Sequence, residues 1–452
     1  MADILDYLDW YGDVPLGAVP FNEVDNVVLA QLSYCALEGV VPTIAEGGTV
    51  TMAEAAERFL EVNGKEQIYG WAGVVSPYTV LLPQKLAAGR RFRDARLGRL
   101  HARLDARSGE QLCVFHVGLS DGSTYVTFRG TDDTVVGWRE DFEMTYDVVP
   151  SQTDAATYLD VTCRDVPAPI MVGGHSKGGN LAVYGVAMCG EDVRGKVSTI
   201  WNNDGPGFDP EVLPEESLAP VRDRIRTYVP EFDVVGQLLS VGEPTKVVAS
   251  DERGVMQHSA LSWQVLGPSF VEAPGILPEA RAVNRAFDSW LDSADREKRR
   301  HVFTAFFDSL QDVGVEGLSD LMSGDPDIVA GVTARIAGAE PEVRDYIMDL
   351  LGVLASGYMQ TRVSKAAQVT TETVQQLLDG GATLGGGTPV LDETGPLDPV
   401  EMERYQRYIG RKRTLGNVRR WLGLDRPAVR AALGAAAGTA AGVLLFKALR
   451  KR

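Results

Sequence analysis

Cysteine is scarce in this sequence, which has four cysteines among 452 residues and no CxxC pair. No Cys/His grouping has the spacing of a zinc finger, so the pattern excludes a disulfide framework and a zinc-finger module. The N-terminus lacks the basic segment and apolar core of a secretory signal. We therefore expect free thiols in a reducing compartment and a cytoplasmic location. The cysteines are Cys35, Cys113, Cys163 and Cys189.

Basic residues are outnumbered, with 44 Lys and Arg against 62 Asp and Glu, a formal net charge of −18 and a pI near 4.8. This balance argues against general nucleic-acid binding. The basic residues are also unevenly distributed, since Arg404–Arg452 contains thirteen of them and a single acid, Asp425. An acidic body with a basic tail predicts that the tail contacts something anionic.

Short strand-like runs alternate with helical segments between residues 111 and 249. Two β-rich runs around a turn at Ser120–Gly122 predict a hairpin, and shorter apolar runs follow it. Strands that alternate with helices indicate an α/β domain with a mainly parallel sheet. The predicted strands are Gln111–Val117, Thr124–Phe128, Ile170–Val172, Val197–Trp201, Ile225–Val229 and Lys246–Ala249.

Helical periodicity is present before, within and after the strand-rich region. The predicted helices are Phe21–Leu37, Met52–Val62, Ala155–Asp160, Asn180–Met188, Glu279–Leu291, Arg299–Val313, Pro326–Ile336 and Pro341–Leu378. We predict four segments: an α/β domain at residues 1–266, a helical region at 267–379, a flexible Gly-rich linker at 380–399 and a basic tail at 400–452.

The strongest chemical signal is the segment Gly174–Gly178, Gly-His-Ser-Lys-Gly, which fits G-x-S-x-G. An apolar strand precedes it and a helix of small residues follows, which is the context of a nucleophile elbow. A serine on such a turn has a strained backbone, and side chains at Gly174 or Gly178 would collide with the neighbouring strand and helix. Ser176 is therefore the predicted nucleophile, at a helix N-terminus that favours developing negative charge.

A second signal is Phe128–Thr131, Phe-Arg-Gly-Thr, which closes the hairpin. Acyl transfer requires two donors directed at the oxyanion. The backbone N–H of Lys177 is one candidate, and Thr131 can offer both its N–H and its hydroxyl as the other. The Lys177 side chain could attract an anionic headgroup or point to solvent, and we expect solvent. We expect Arg129 to be a structural charge, with Asp141 as its candidate partner, and not a substrate ligand.

These motifs resemble those of the class 3 (fungal-type) lipases: Phe-Arg-Gly-Thr, then Trp138 and Asp141, then Gly-His-Ser-x-Gly-Gly-Asn-Leu-Ala. The segment Asn203–Phe208 (NDGPGF) and the N-terminal pattern resemble more closely a bacterial branch of lipase-like α/β-hydrolases. The resemblance covers residues 1–265 or so. It implies an α/β-hydrolase fold with a Ser-Asp-His esterase or lipase core.

Histidine is scarce as well, with five residues in the chain. The order of the triad in this fold is serine, acid, histidine, and only His258 and His301 follow Ser176. His258 lies in a loop after the last predicted strand, where a catalytic histidine belongs. His301 lies in a charged helical run that is typical of a solvated helix. His258 is therefore the predicted general base.

The acid of the triad has several candidates. Asp233 follows the strand Ile225–Val229 in a Pro-x-x-Asp-Val-Val pattern that resembles the acid loop of the lipases. Asp204 follows the preceding strand and is the main rival, while Glu231 and Asp251 are weaker candidates. We predict that Asp233 orients the imidazole and stabilises the imidazolium.

The combined prediction is serine-dependent hydrolysis of carboxylic esters, with lipid or acylglycerol esters as the first substrates to consider. No metal or organic cofactor is required for this chemistry. Two alternatives remain open: a thioesterase or acyltransferase that uses the same serine, and a non-catalytic scaffold that keeps the hydrolase fold.

The basic tail contains sixteen residues without a charge, Ala431–Phe446. Gly434, Gly438 and Gly442 have the small-xxx-small spacing of closely packed membrane helices, although about 20 apolar residues normally span a bilayer. A marginal anchor, a helix lying on an anionic leaflet and a soluble packed helix all fit this composition. We expect contact with an anionic membrane surface. The oligomeric state is not predicted.

Overall fold

The structure is a computed structural model that describes residues 2–63, 77–132, 134–239, 245–317, 320, 326–341 and 343–347. These residues belong to one compact unit, Met1–Gly381. The predicted linker, the basic tail and most of the predicted helix Pro341–Leu378 lie outside the described residues, and the predicted domain boundaries stay predictions. The helices among the described residues lack the combination of length and hydrophobicity that a bilayer span requires.

An eight-stranded sheet, with its strands in sequence order, forms the centre of the described residues. Strands β1 to β4 pair antiparallel, and β4 to β8 pair parallel. This mainly parallel sheet with flanking helices confirms the predicted α/β-hydrolase-like fold. The strands are β1 (Val50–Thr51), β2 (Arg96–Asp105), β3 (Glu110–Gly118), β4 (Thr124–Phe128), β5 (Ile170–His175), β6 (Val197–Asn203), β7 (Ile225–Pro230) and β8 (Thr245–Val248); a separate antiparallel pair is β9 (Val265–Leu266) and β10 (Ser269–Phe270).

The α-helices of the described residues are α1 (Ile4–Tyr11), α2 (Glu23–Leu32), α3 (Met52–Asn63), α4 (Leu82–Ala88), α5 (Val135–Glu143), α6 (Pro150–Thr162), α7 (Lys177–Met188), α8 (Glu191–Arg194), α9 (Glu215–Leu218), α10 (Pro278–Asp292), α11 (Arg296–Asp312) and α12 (Pro326–Gly338).

Alternating side chains of β4 separate the two faces of the sheet. Tyr125 and Thr127 face α2, where the Thr127 hydroxyl donates to Leu29 O over 3.2 Å. Val126 and Phe128 face the opposite side and join an apolar core that includes residues of α6 and α7. The sheet is therefore covered on both faces, which is why its parallel strands are almost wholly buried.

Small residues let α7 lie close to β5 and β6. A Cβ at Gly179 would be 2.3 Å from Asn202 Oδ1, well inside van der Waals contact. At Gly185 the corresponding position is 3.2 Å from Leu159 of α6. The glycines of this helix thus set how closely it approaches the strands and the neighbouring helix, and so where its first residue is placed.

Strand β2 is an element that the sequence reasoning missed. Its outer half is exposed, and its pairing with β3 is interrupted by a register shift between Gly98 and His101. Arg99 lies within this irregularity and has φ 57°. The interruption breaks the regular apolar alternation that would otherwise reveal a strand.

The helical region packs against α5 through a shared apolar cluster. Phe142 of α5 contacts Phe303 of α11, with ring centroids 4.8 Å apart. Trp290 of α10 packs on the same Phe303 at 5.6 Å. Arg139 of α5 adds an ion pair with Asp308, 2.9 Å long. These contacts hold α5, whose residues reach the site described below.

Candidate active site

Ser176 lies on the sharp turn between β5 and α7. Its backbone has φ 57° and ψ −132°, a conformation that costs a non-glycine residue on the order of 1–3 kcal/mol. Neighbouring backbone groups hold it there: Ser176 N–H donates to Asn203 O over 2.9 Å, and Gly179 N–H donates to Ser176 O over 2.8 Å. The side chain therefore starts from the N-terminus of α7, where the helix dipole favours negative charge.

Gly174 and Gly178 allow strand and helix to approach each other at this turn. A Cβ at Gly174 would lie 2.4 Å from the carbonyl carbon of Gly178, and a Cβ at Gly178 would lie 2.2 Å from Phe128 O. Both distances are far inside van der Waals contact. A larger residue at either position would push α7 away from β4 and β5.

His258 ends a short 3-10 turn, Gly254–His258, and its Nδ1 lies 2.6 Å from Asp204 Oδ2. Asp204 comes directly after β6, is 1% exposed and has φ 56°. The predicted contact between Asp233 and the histidine is therefore wrong: Asp204 occupies that place. Asp233 instead turns back on its own loop, where its Oδ1 accepts from Gly236 N–H over 2.8 Å.

Asp233 is fully buried beside Asp204. Gly236 N–H donates to Asp233 Oδ1 over 2.8 Å and reaches Asp204 Oδ1 at 3.2 Å, so the two carboxyl groups share one backbone donor. Burial raises the pKa of Asp233 well above its usual range, and the nearby charge of Asp204 raises it further. Burial also raises the pKa of Asp204 to about 7, against the opposing hydrogen bond from Gly236.

Burial lowers the pKa of His258 to about 4, while the neighbouring acids Asp233 and Asp141 act in the opposite direction. The imidazole is therefore neutral at pH 7, with its proton on the Nδ1 that faces Asp204. Nε2 is then the nitrogen that can accept a proton from a serine hydroxyl. Among the described residues, no hydrogen bond joins Ser176 Oγ to His258 Nε2. Such contacts often tighten only when substrate is bound.

His175 positions the loop of His258 through a hydrogen bond to its backbone. Its Nε2 lies 2.7 Å from His258 O, and its Nδ1 lies 3.0 Å from the Tyr34 hydroxyl. Because a carbonyl oxygen only accepts, Nε2 carries the proton and Nδ1 accepts from Tyr34. Burial lowers the pKa of His175 to about 3, which keeps the ring in this neutral form. No local sequence pattern predicts this hydrogen bond from Tyr34 to His175.

The Phe-Arg-Gly-Thr loop passes directly against the elbow. A Cβ at Gly130 would lie 2.1 Å from the Tyr34 hydroxyl and 3.1 Å from Ser176 Cβ, so only glycine fits between them. Thr131 follows, and its hydroxyl donates to Asp141 Oδ2 over 2.5 Å. The Thr131 N–H and the Lys177 N–H have no hydrogen-bond partner within the described residues. These two backbone N–H groups are therefore free to act as the predicted oxyanion donors, while the Thr131 hydroxyl is already bound to Asp141.

Arg129 does not pair with Asp141, in contrast to the prediction. Its buried guanidinium lies 3.6 Å from Asp132 and 3.9 Å from Glu38. The place beside Asp141 is taken by the Thr131 hydroxyl. Burial raises the pKa of Asp141 to about 6, and the charge of Lys177 and the Thr131 hydrogen bond oppose this rise.

The side chain of Lys177 is buried, so the prediction that it points to solvent is wrong. Its Nζ donates to Gln111 O over 2.9 Å, to Gln111 Oε1 over 2.5 Å and to Glu140 Oε2 over 2.9 Å. Glu140 also accepts from the N–H groups of Gln111 and Ser151, both over 3.0 Å. Nothing in a single sequence pairs Lys177 with Glu140, because they lie far apart along the chain.

No group of three or more His, Cys, Asp or Glu side chains within the described residues is arranged to hold a metal ion. The four cysteines are all described; they are free and buried, and burial raises the pKa of each thiol.

One family model and one solved lipase structure are similar to parts of this chain. Residues 86–308, just under half of the chain, match the family model Mbeg1-like. A crystal structure of M37 lipase is similar at 14% identity over 48% of this chain and 70% of that chain, with a TM-score of 0.29. No curated protein matches. The family match supports a lipase-like relationship and nothing finer. The resemblances to class 3 lipases and to a bacterial branch stay predictions.

Proposed function

We propose that this protein is a serine hydrolase that cleaves carboxylic esters through an acyl-enzyme on Ser176. The observation that carries the proposal is the conformation of Ser176, held at φ 57° on a strand-to-helix turn whose glycines cannot be replaced without a clash. Backbone strain of this kind persists only where the surrounding structure maintains it, and it is concentrated at active sites. The lipase-like family match points to the same reaction class.

The proposed reaction begins when His258 Nε2 accepts the proton of the Ser176 hydroxyl as Oγ attacks the ester carbonyl. Asp204 stabilises the imidazolium that forms. The N–H groups of Thr131 and Lys177 bind the oxyanion, and one such donor contributes roughly 3–4 kcal/mol to the transition state. The C–O bond to the leaving alcohol then breaks, and His258 returns the proton to that alcohol. Water hydrolyses the acyl-enzyme by the same steps, and Ser176 regains its proton.

Lipid or acylglycerol esters are the substrates we propose first, and this choice rests on the lipase-like relationship. A thioesterase or an acyltransferase would use the same serine and the same donors. Thioesters in place of oxygen esters, and an added alcohol in place of water as the acceptor, separate these possibilities.

A non-catalytic scaffold is the second candidate function. The observation that favours it is the absence of a hydrogen bond between Ser176 and His258 among the described residues. In a scaffold the fold would keep the strained turn without an activated nucleophile, and the helical region would bind a partner.

The test is hydrolysis of p-nitrophenyl esters that range from acetate to palmitate, with Ser176→Ala as the matched variant. Wild type is expected to release p-nitrophenol at a rate that Ser176→Ala reduces to background, and the preferred acyl length identifies the substrate class. Equal rates for wild type and Ser176→Ala would contradict the proposal. Folding of both proteins is checked by circular dichroism.

We also propose that the basic tail contacts an anionic membrane surface. The support is its sequence alone, since Arg404–Arg452 lies outside the described residues and carries thirteen basic residues against one acid. Each basic residue near such a surface contributes about 1 kcal/mol to binding.

A further inference from the structure

Two buried carboxyl groups lie side by side behind His258. Asp204 is 1% exposed and Asp233 is fully buried, and both accept from the single N–H of Gly236. A Cβ at Gly236 would lie 2.7 Å from Asp204 Oδ1 and 3.1 Å from Asp233 Oδ2, so these two oxygens lie against the same point of the backbone. The Oδ2 atom of Asp233 is buried and accepts no hydrogen bond within the described residues.

Little positive charge faces this pair. The side chain of Asp204 contacts His258, which is neutral at pH 7, and no Lys or Arg forms an ion pair with either carboxyl group in the described part of the chain. The other groups near Asp233 are the uncharged Gly236, Gln237 and Asn284, the last of which donates to Asp233 O over 3.0 Å. Asp141 is a further acid near His258 and adds no positive charge.

Two carboxylates so close together in a water-excluded site cannot both be ionised, because neither desolvation nor mutual repulsion is compensated. One proton shared between them removes both penalties. We place the proton on Asp233, because Asp204 Oδ2 accepts the hydrogen bond from His258 Nδ1–H. Asp233 Oδ2 accepts no hydrogen bond within the described residues.

We propose that Asp233 is a positioning residue that is protonated at neutral pH and donates its proton, as a hydrogen bond, to Asp204. Its role is to hold the Asp204 carboxylate toward His258 and to keep the total charge of the pair at −1. The protonation is a property of the folded chain. The positioning role rests on the function proposed above, because it concerns the same site.

The first test compares the stability of wild type and Asp233→Asn by chemical denaturation from pH 4.5 to pH 8. In the unfolded chain Asp233 loses its proton near pH 4, at about the ordinary value of 3.9. In the folded wild type it keeps the proton, so rising pH favours unfolding through Asp233, a contribution that the variant lacks. The unfolding constant of wild type relative to Asp233→Asn is expected to increase up to about tenfold per pH unit.

A ratio of unfolding constants that does not change with pH would overturn the proposal. The matched control is Asp165→Asn, which removes an exposed carboxyl group and is expected to give a constant ratio. If Asp233→Asn does not fold, infrared spectroscopy of wild type at pH 8 decides. A protonated-carboxyl C=O band that shifts in D₂O supports the proposal, and no such band overturns it.

The positioning role is tested by NMR of His258 at pH 7, where the ring is neutral, in wild type and Asp233→Asn. If Asp233 is a neutral donor to Asp204, asparagine replaces it and the Nδ1–H signal of His258 keeps its chemical shift. If wild type carried two charges, the substitution would remove one of them and shift that signal strongly, which would overturn the proposal. None of these measurements requires turnover. A wild type without esterase activity would therefore overturn the proposed function. The protonation of Asp233 would still be decided by the stability and spectroscopic measurements.

Discussion

Lys177 and Glu140 form an ion pair in which both side chains are fully buried, with Nζ and Oε2 2.9 Å apart. The pair connects the residue after the nucleophile to α5. The next residue of α5, Asp141, accepts the hydroxyl of Thr131. Both residues that supply the proposed oxyanion donors are therefore anchored by their own side chains to adjacent positions of one helix.

Breaking this pair is expected to destabilise the fold strongly. Lys177→Met leaves the Glu140 carboxylate buried without its partner, and such changes cost about 3–5 kcal/mol of unfolding free energy. The double variant Lys177→Met/Glu140→Gln should recover part of this loss, because it removes the uncompensated charge. Urea denaturation measures both.

The control for this prediction is Arg335→Met, which breaks an exposed ion pair with Asp312 and should change the unfolding free energy by less than about 1 kcal/mol. Equal losses of unfolding free energy for Lys177→Met and Arg335→Met would contradict the claim that the Lys177–Glu140 pair is buried.

Asp204, and not Asp233, is expected to act directly on the histidine. Asp204→Asn removes the carboxylate that faces His258 Nδ1, and the rate of ester hydrolysis should fall by about 10³- to 10⁴-fold. Asp233→Asn leaves the contact between Asp204 and His258 in place and should lower the rate by a smaller factor. The reverse ranking in kcat/KM would restore the assignment made from the sequence.

Thr131 is expected to contribute through its backbone N–H. Thr131→Ala keeps that donor and removes only the hydroxyl bound to Asp141, so kcat should fall by less than about 10²-fold. Removal of a true oxyanion donor typically costs about 10²- to 10³-fold in kcat. A loss in that higher range, with KM unchanged, would assign the oxyanion contact to the hydroxyl.

Acid should weaken the fold through His175. Its folded pKa, about 3, lies below the ordinary value near 6.5, so the unfolded chain binds a proton that the folded chain excludes. The stability from this residue is complete above pH 6.5 and is lost as pH falls toward 3. His175→Gln should flatten the decline in unfolding free energy, and His301→Gln, on the exposed face of α11, should not.

Vesicle binding tests the basic tail. The full chain should sediment with vesicles that contain phosphatidylserine, and a variant truncated after residue 403 should not. Added salt should release the full chain, because the attraction is electrostatic. Equal sedimentation of both proteins, or no dependence on lipid charge, would contradict the proposal.

The sequence predicted those parts of the site that follow from local patterns. The elbow at Ser176, the two glycines and the hairpin before Thr131 each depend on residues that are neighbours along the chain, and the α/β fold follows from the alternation of elements. The strand β2 was missed because an internal register shift disrupts its alternation.

Contacts across the fold could not be predicted from a single sequence. Asp204 and Asp233 each follow a parallel strand, and only the folded arrangement of the loops shows which of them reaches His258. The buried position of Lys177 depends on Glu140, a residue 37 positions away with no mark in its local sequence. A lysine after the nucleophile is ordinarily expected in solvent, because burial of an unpaired charge is unfavourable.

The most direct test of the proposed hydrolase is covalent labelling by a fluorophosphonate probe, followed by mass mapping of the adduct. Wild type is expected to carry one adduct on Ser176, Ser176→Ala none, and His258→Ala and Asp204→Asn strongly reduced labelling, with all four proteins folded by circular dichroism. A folded wild type that remains unlabelled, or an adduct on another residue, would contradict the account.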